Sequence, residues 1–167
     1  MPEAIEQFAE VTRLQPDWVD AHWRLALALV STGRLGDALA EFAEAVRLSP
    51  SDVSIRNDYG WSLVLNRQIA LGLEQLQDAV RLKPDFVDAR HNLGRALAAE
   101  GRTAEALPHL LEAVRLEPTF TAARLSLGLT LLRAGRVDDA ARELREVLRQ
   151  EPGNAAAARA LAAIGRR

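Results

Sequence analysis

The chain has 167 residues, 49% of them apolar and 26% charged, which suits a packed core with a solvated surface rather than a disordered coil. It has no cysteine, which excludes disulfides, thiolate metal sites and a thiol nucleophile, and its formal charge of -2 lacks the positive excess of a phosphate-neutralising protein, so no nucleic-acid partner is expected. No apolar run approaches the ~18 residues of a membrane span, and the opening MPEAIEQF lacks the basic flank and apolar centre of a signal peptide. A soluble, cytoplasmic chain without membrane insertion is therefore expected.

Along the chain, Pro16, Pro50, Pro84, Pro118 and Pro152 recur every 34 residues. Each follows a similar helical ending, VTRLQP, AVRLSP, AVRLKP, AVRLEP and VLRQEP. Proline lacks the amide donor and pushes its predecessor out of the helical region, so each marks a helix stop. Asp17, Ser51, Asp85, Thr119 and Asn154 follow within two positions and are expected to cap the next helix through their short side chains.

With the proline numbered 32, the chain divides into a half repeat at 1–18, full repeats at 19–52, 53–86, 87–120 and 121–154, and a half repeat at 155–167 that acts as a C-terminal cap. The first segment carries an apolar row of Ile5, Phe8, Val11 and Leu14 at helical spacing. In the full repeats, Leu25, Leu29, Leu39, Phe42 and Val46, and likewise Leu93, Leu97, Leu107, Leu110 and Val114, bracket a glycine at position 15: Gly33, Gly101 and Gly135. Such a glycine suits a left-handed helix cap, so each repeat reads as helix, tight turn, helix. The second repeat has Arg67 there, and Asn66 is expected to close its turn one residue early.

Position 8 is always small (Ala26, Gly60, Gly94, Gly128, Ala162), as is position 20 (Ala4, Ala38, Gly72, Ala106, Ala140). Glycine inside a helix costs about 1 kcal/mol relative to alanine, so the two rows imply that paired helices approach closely. Position 24 is large and apolar: Phe8, Phe42, Leu76, Leu110 and Leu144.

This combination of a 34-residue period, small residues at 8 and 20, a large one at 24 and proline at 32 resembles the tetratricopeptide repeat, over essentially the whole chain. In style the array is bacterial and similar to the repeat region of O-linked N-acetylglucosamine transferases. The resemblance implies an all-α fold, a right-handed α-solenoid of about ten helices stacked as antiparallel pairs in a single array over 1–167. Two positions depart from the family pattern: position 4, often Trp, is His22, Arg56, Arg90 and Arg124, and position 11, often Tyr, is Leu29, Leu63, Leu97 and Leu131. The half-repeat start is expected either from a longer parent protein or from self-association through that end.

The register also sorts the candidates for chemistry. His22, His91 and His109 fall at positions 4, 5 and 23, and no two share a helix face at ligand spacing. Asp88 and His91 do share a face, where a hydrogen-bonded or ion pair is expected rather than a metal site. There is no GxSxG elbow, phosphate loop or HExxH, so no catalytic residue, metal or cofactor is expected and the chain reads as a non-enzyme.

In the family, positions 2, 5, 6, 9, 12 and 13 of first helices line a concave groove. The resemblance thus nominates Trp23, Leu27, Asn57, Asp58, Trp61, Leu65, Asp88, His91, Asn92, Arg95, Leu129 and Arg133 as the partner-binding groove. Trp23 and Trp61 either anchor a partner or fill gaps between stacked helices; Trp18, at position 34 with Phe86 and Phe120, reads as a packing residue. The cations of the family's chaperone-tail clamp are absent, and position 6 reads Arg24, Asp58, Asn92 and Ser126 rather than an asparagine ladder. The leading expectation is a scaffold that binds a peptide or helix of another protein. The alternatives are a regulatory or substrate-presenting segment of a larger enzyme such as a glycosyltransferase, and a scaffold that self-assembles through Ile5, Phe8, Val11 and Leu14.

Overall fold

The computed structural model describes residues 2–165; Met1 and residues 166–167 lie outside the described residues. Ten helices and no strands form among the described residues: α1 (Pro2–Leu14), α2 (Val19–Ser31), α3 (Leu35–Leu48), α4 (Val53–Leu65), α5 (Ile69–Leu82), α6 (Val87–Ala99), α7 (Thr103–Leu116), α8 (Thr121–Arg133), α9 (Val137–Gln150) and α10 (Ala155–Ile164). They gather into two compact units, Met1–Phe86 and Val87–Arg167. In the first, α2 pairs with α3 and α4 with α5, while α1 packs on α2 and α3 on α4. In the second, α6 pairs with α7 and α8 with α9, α7 packs on α8, and α10 lies on α9 and α8. None of these helices is long and apolar enough to cross a membrane.

Within each pair the small rows meet as their spacing predicts. A Cβ built on Gly72 would sit 2.7 Å from the Gly60 carbonyl oxygen, and one on Gly60 would sit 2.8 Å from Leu76 Cγ. The equivalent atom at Gly94 would fall 2.6 Å from Leu110 Cγ and at Gly128 2.9 Å from Leu144 Cγ. Ala26, Ala38 and Phe42 form the matching contact in the first pair, inside a core with Leu25 and Leu29. The position-24 side chains Phe42, Leu76, Leu110 and Leu144 are all fully buried.

The tight turns close as expected at Gly33, Gly101 and Gly135, whose φ angles are 77°, 76° and 74°. In the second repeat the left-handed residue is Arg67, at φ 64°, while Asn66 keeps φ -85°. Asn66 therefore does not close the turn early, because the bonding pattern demands the left-handed residue at position 15. Gln68 N–H donates to Leu63 O at 2.9 Å there, as Arg34 does to Leu29, Arg102 to Leu97 and Arg136 to Leu131. A one-residue shift would break that bond.

Between repeats, the capping expectation needs correction. The N-cap positions of α2, α4, α8 and α10 are Trp18, Asp52, Phe120 and Asn154, and only the Asp52 and Asn154 side chains accept helix amides. Asp85 lies in the turn, two residues ahead of the first residue of α6. The junctions are held instead by backbone bonds closing a four-residue turn around the proline. Trp18 N–H donates to Gln15 O at 3.1 Å, Asp52 to Ser49 at 3.2 Å, Phe86 to Lys83 at 3.1 Å, Phe120 to Glu117 at 3.0 Å and Asn154 to Glu151 at 3.0 Å. Proline presets the φ needed at the second place of such a turn, and the residue before it is driven to extended backbone, as at Ser49 (φ -133°, ψ 75°).

A side-chain clamp reinforces the junction. The position-4 side chain, where the family often has Trp, ties the turn to the second helix of its own repeat. His22 contacts Pro16 O at 2.9 Å through Nε2 and Glu41 at 2.7 Å through Nδ1. Arg56 donates to Pro50 O at 2.7 Å and Gln75 at 2.8 Å, and Arg124 to Pro118 O at 2.9 Å and Glu143 at 2.6 Å. The position-23 acceptor is replaced by His109 in the third repeat, where Nδ1 is buried without a hydrogen-bond partner. Burial first and Arg90 second hold the His109 pKa below its ordinary value.

Two stability changes are expected in denaturant unfolding. Arg67→Gly removes the cost of a left-handed non-glycine residue and raises stability by about 1 kcal/mol. His109→Glu replaces the orphaned ring nitrogen with the carboxylate that Glu41 and Glu143 supply at position 23, and raises stability by about 1–2 kcal/mol.

Candidate functional site

The nominated groove residues divide between the two units. In the first unit, Trp23 on α2 reaches α4, its Nε1–H donating to Asp58 Oδ2 at 2.9 Å, while Asn57 Nδ2 donates to Asp58 Oδ1 at 3.1 Å. Trp23 also packs half-buried against the core around Leu25 and Phe42. Its ring therefore bridges neighbouring first helices, which favours the gap-filling role over that of a free anchor. Asn57 is buried, whereas Leu27 and Leu65 are 40% and 46% exposed, and Trp61 is half-buried between them in sequence. The apolar part of this surface is thus carried chiefly by the two leucines.

In the second unit, His91 is buried and does not form the expected pair with Asp88. Its Nε2 lies 3.1 Å from Ser126 Oγ on α8, and its ring meets Phe120 edge-on at 4.9 Å between centroids. Asp88, one turn earlier, stays exposed. The reason is geometric: a position-5 side chain reaches position 6 of the next first helix, as Trp23 does to Asp58, so it leans across rather than back along its own helix. Burial first and the Arg95 guanidinium second push the His91 pKa down to about 4. The ring is neutral at physiological pH.

Beside it, Arg95, Ala98, Ala99, Ser126, Leu129, Thr130 and Arg133 line a hollow of about 220 Å³. Arg133 Nη1 donates to Ala98 O at 2.8 Å, which satisfies a carbonyl of the last turn of α6 while holding a cation at the rim. Thr130 Oγ1 donates to Ser126 O at 2.7 Å, so its hydroxyl is spent within α8. Arg95, Leu129 and Arg133 thus come together, and Asn92 sits half-buried on the same helix as Arg95. Two arginines among small and apolar walls can receive an anionic side chain by charge-assisted hydrogen bonding. Among the described residues, no three His, Cys, Asp or Glu side chains converge as metal ligands.

Sequence models of the tetratricopeptide repeat match residues 97–164 in one version and residues 2–53 and 58–119 in another. No curated protein matches the chain significantly. Among solved structures, YrrB, described as a TPR protein with an unusual peptide-binding site, superposes with a TM-score of 0.79 at 26% identity, over 96% of this chain and 82% of its own. MamA from Desulfovibrio magneticus RS-1 gives 0.81 at 22% identity, over 92% and 87% respectively. A thermophilic TPR protein of Thermus thermophilus gives 0.77 at 22% identity, over 98% and 89%. These likenesses show the fold to be the all-α helical solenoid of such repeats.

The depressed His91 pKa has a definite sign. Unfolded, the ring takes a proton near its ordinary 6.5; folded, only near 4, so its contribution is present above about 6.5 and lost as pH falls through that window. Comparison of wild type with His91→Gln by denaturant unfolding at pH 7 and pH 4.5 is expected to show wild type losing on the order of 2 kcal/mol more than the variant.

Proposed function

The chain belongs to the tetratricopeptide repeat family, and we propose that it is a non-catalytic scaffold whose first-helix face receives a peptide segment of another protein. The observation that carries this reading is the hollow between α6 and α8, with Arg95 and Arg133 at its rim and Leu129 on its wall. A concave recess with apolar walls and two arginines in its lining suits an acidic side chain flanked by apolar ones. Leu27 and Leu65 give the first unit a separate apolar surface on the same row of positions. YrrB supports the reading by likeness, as a repeat protein described by its peptide-binding site.

The position-6 row does not favour a backbone-binding ladder. Arg24 donates to Asp20 at 2.6 Å, Asp58 accepts from Trp23 and Asn57, and Ser126 meets His91. Those side chains are engaged with the scaffold itself, and the proposed recognition rests instead on the exposed Leu27 and Leu65 and on the hollow lined by Arg95, Leu129 and Arg133.

Selection from a displayed peptide library is expected to enrich sequences with Asp or Glu beside apolar residues. Arg133→Glu is expected to weaken a selected peptide at least tenfold in fluorescence anisotropy, with Arg133→Lys retaining most of the affinity and both variants keeping wild-type helicity. Enrichment without acidic residues, or undiminished binding to Arg133→Glu, would overturn the assignment.

A further inference from the structure

The second helices of the repeats follow one electrostatic rule, which α9 breaks. In α1, α3, α5, α7 and α9 a carboxylate at position 26 takes the guanidinium at position 29, as Glu44 takes Arg47 and Glu112 takes Arg115. Beside that pair, positions 22 and 25 are Ala40 and Ala43 in α3, Glu74 and Gln77 in α5, and Pro108 and Leu111 in α7. In α9 both become arginine, Arg142 and Arg145. Arg142 donates to Asp139 at 2.7 Å, an acid it shares with Arg136. Among the described residues, Arg145 is the one arginine of these five helices whose side chain makes no hydrogen bond or ion pair.

Arg142, Arg145 and Arg149 stand at i, i+3 and i+7, an exposed stripe along α9. Together with Arg124 of α8, Glu143 and Glu146, they line a hollow of about 470 Å³. Arg124 is its fixed part: the side chain is 13% exposed, Nη1 donates to Glu143 at 2.6 Å, Nη2 donates to Pro118 O at 2.9 Å, and Nε is buried without a hydrogen-bond partner. Arg142 and Arg149, 71% and 72% exposed, sit in weak surface pairs that yield to a stronger anion. Four arginines against two carboxylates leave the hollow with a net charge of +2. A phosphate monoester carries about -1.5 to -2 at pH 7 and offers three acceptor oxygens to the guanidinium forks.

The surroundings fit one such group rather than a run of them. Asp138 and Asp139 precede the stripe and Glu151 follows it, so the neighbouring phosphates of an oligonucleotide would meet carboxylates. Among the described residues, α9 has no exposed large apolar side chain with which to enter a bilayer. We propose that the hollow between α8 and α9 is a second binding site, which takes a single phosphoserine or phosphothreonine side chain of a partner polypeptide. Arg145 meets the phosphate directly and Arg142 turns to it from Asp139, which keeps Arg136, so no carboxylate is stranded. This hollow shares no residue with the one lined by Arg95, Leu129 and Arg133, and either site can fail without the other.

The test is fluorescence anisotropy with two labelled pools of degenerate heptapeptides, one with phosphoserine and one with serine fixed at the centre. The phosphoserine pool is expected to bind at least tenfold more tightly. The double variant Arg142→Gln/Arg145→Gln is expected to remove that preference at unchanged helicity by circular dichroism. Arg115→Gln, which removes a paired arginine at position 29 of the third repeat, is expected to keep it. Inorganic phosphate is expected to compete only at concentrations at least tenfold above that of the phosphoserine pool. Equal binding of the two pools, a preference that survives the double substitution or is lost equally in Arg115→Gln, or displacement by inorganic phosphate at equal concentration would overturn the proposal. So would tighter binding of a single-stranded oligonucleotide or of phosphatidylserine vesicles than of the phosphoserine pool.

Discussion

The two helices of a repeat approach until their backbones touch, and the rest of the architecture follows from that contact. At Gly60 and Gly72 each backbone sits where the other's side chain would begin, and the carbonyl of one lies 2.7 Å from the missing Cβ of the other. A pair that close has no room for adjustment, so the large residue at position 24 must fold over the notch and bury completely. The turn between the helices is then fixed in length, which places the left-handed residue at position 15 and the junction proline at 32. The weak helix propensity of these glycines is offset by van der Waals contact along two whole helices.

With the pair rigid, the first helices of successive repeats present one row of side chains to one another and another to solvent. Contacts offset by 35 residues, Trp23 to Asp58, His91 to Ser126 and Arg133 to the Ala98 carbonyl, consume the polar groups nearest the seam. Positions 9 and 13, one turn further along, include the exposed Leu27 and Leu65. The same residue types thus serve as mortar at one register and stand exposed at another, and composition alone does not distinguish them.

The helix pairs are legible in the sequence because proline, glycine and the small rows act locally and repeat without exception in their physical role. Arg67 shows the limit of that reading: residue preference suggested Asn66, but the backbone bond from Gln68 to Leu63 settles the position, and a ladder outweighs a side-chain preference. Asn154 caps α10 as its side chain suggests and Asp52 rather than Ser51 caps α4, whereas the turn around proline closes through backbone groups and needs no side chain at Asp17, Asp85 or Thr119. The candidate site was less legible. An offset of 35 is one more than the period, so the register of one repeat does not reveal which residue of the next it meets. The position-4 clamp had a readable sign, a cationic or imidazole side chain paired with an acceptor 19 residues on, as in His22 with Glu41 and Arg124 with Glu143.

The reach of these bonds has a mechanical consequence. Among the hydrogen bonds described, the widest sequence separation is 35 residues. Within each unit these bonds join neighbouring repeats, so tension along a unit is carried by its helix pairs in series, like links of a chain. Rupture of one junction then releases a fixed length of polypeptide, one period at a time, and leaves its neighbours able to reclose around short loops. The extension of such an array is counted in whole repeats.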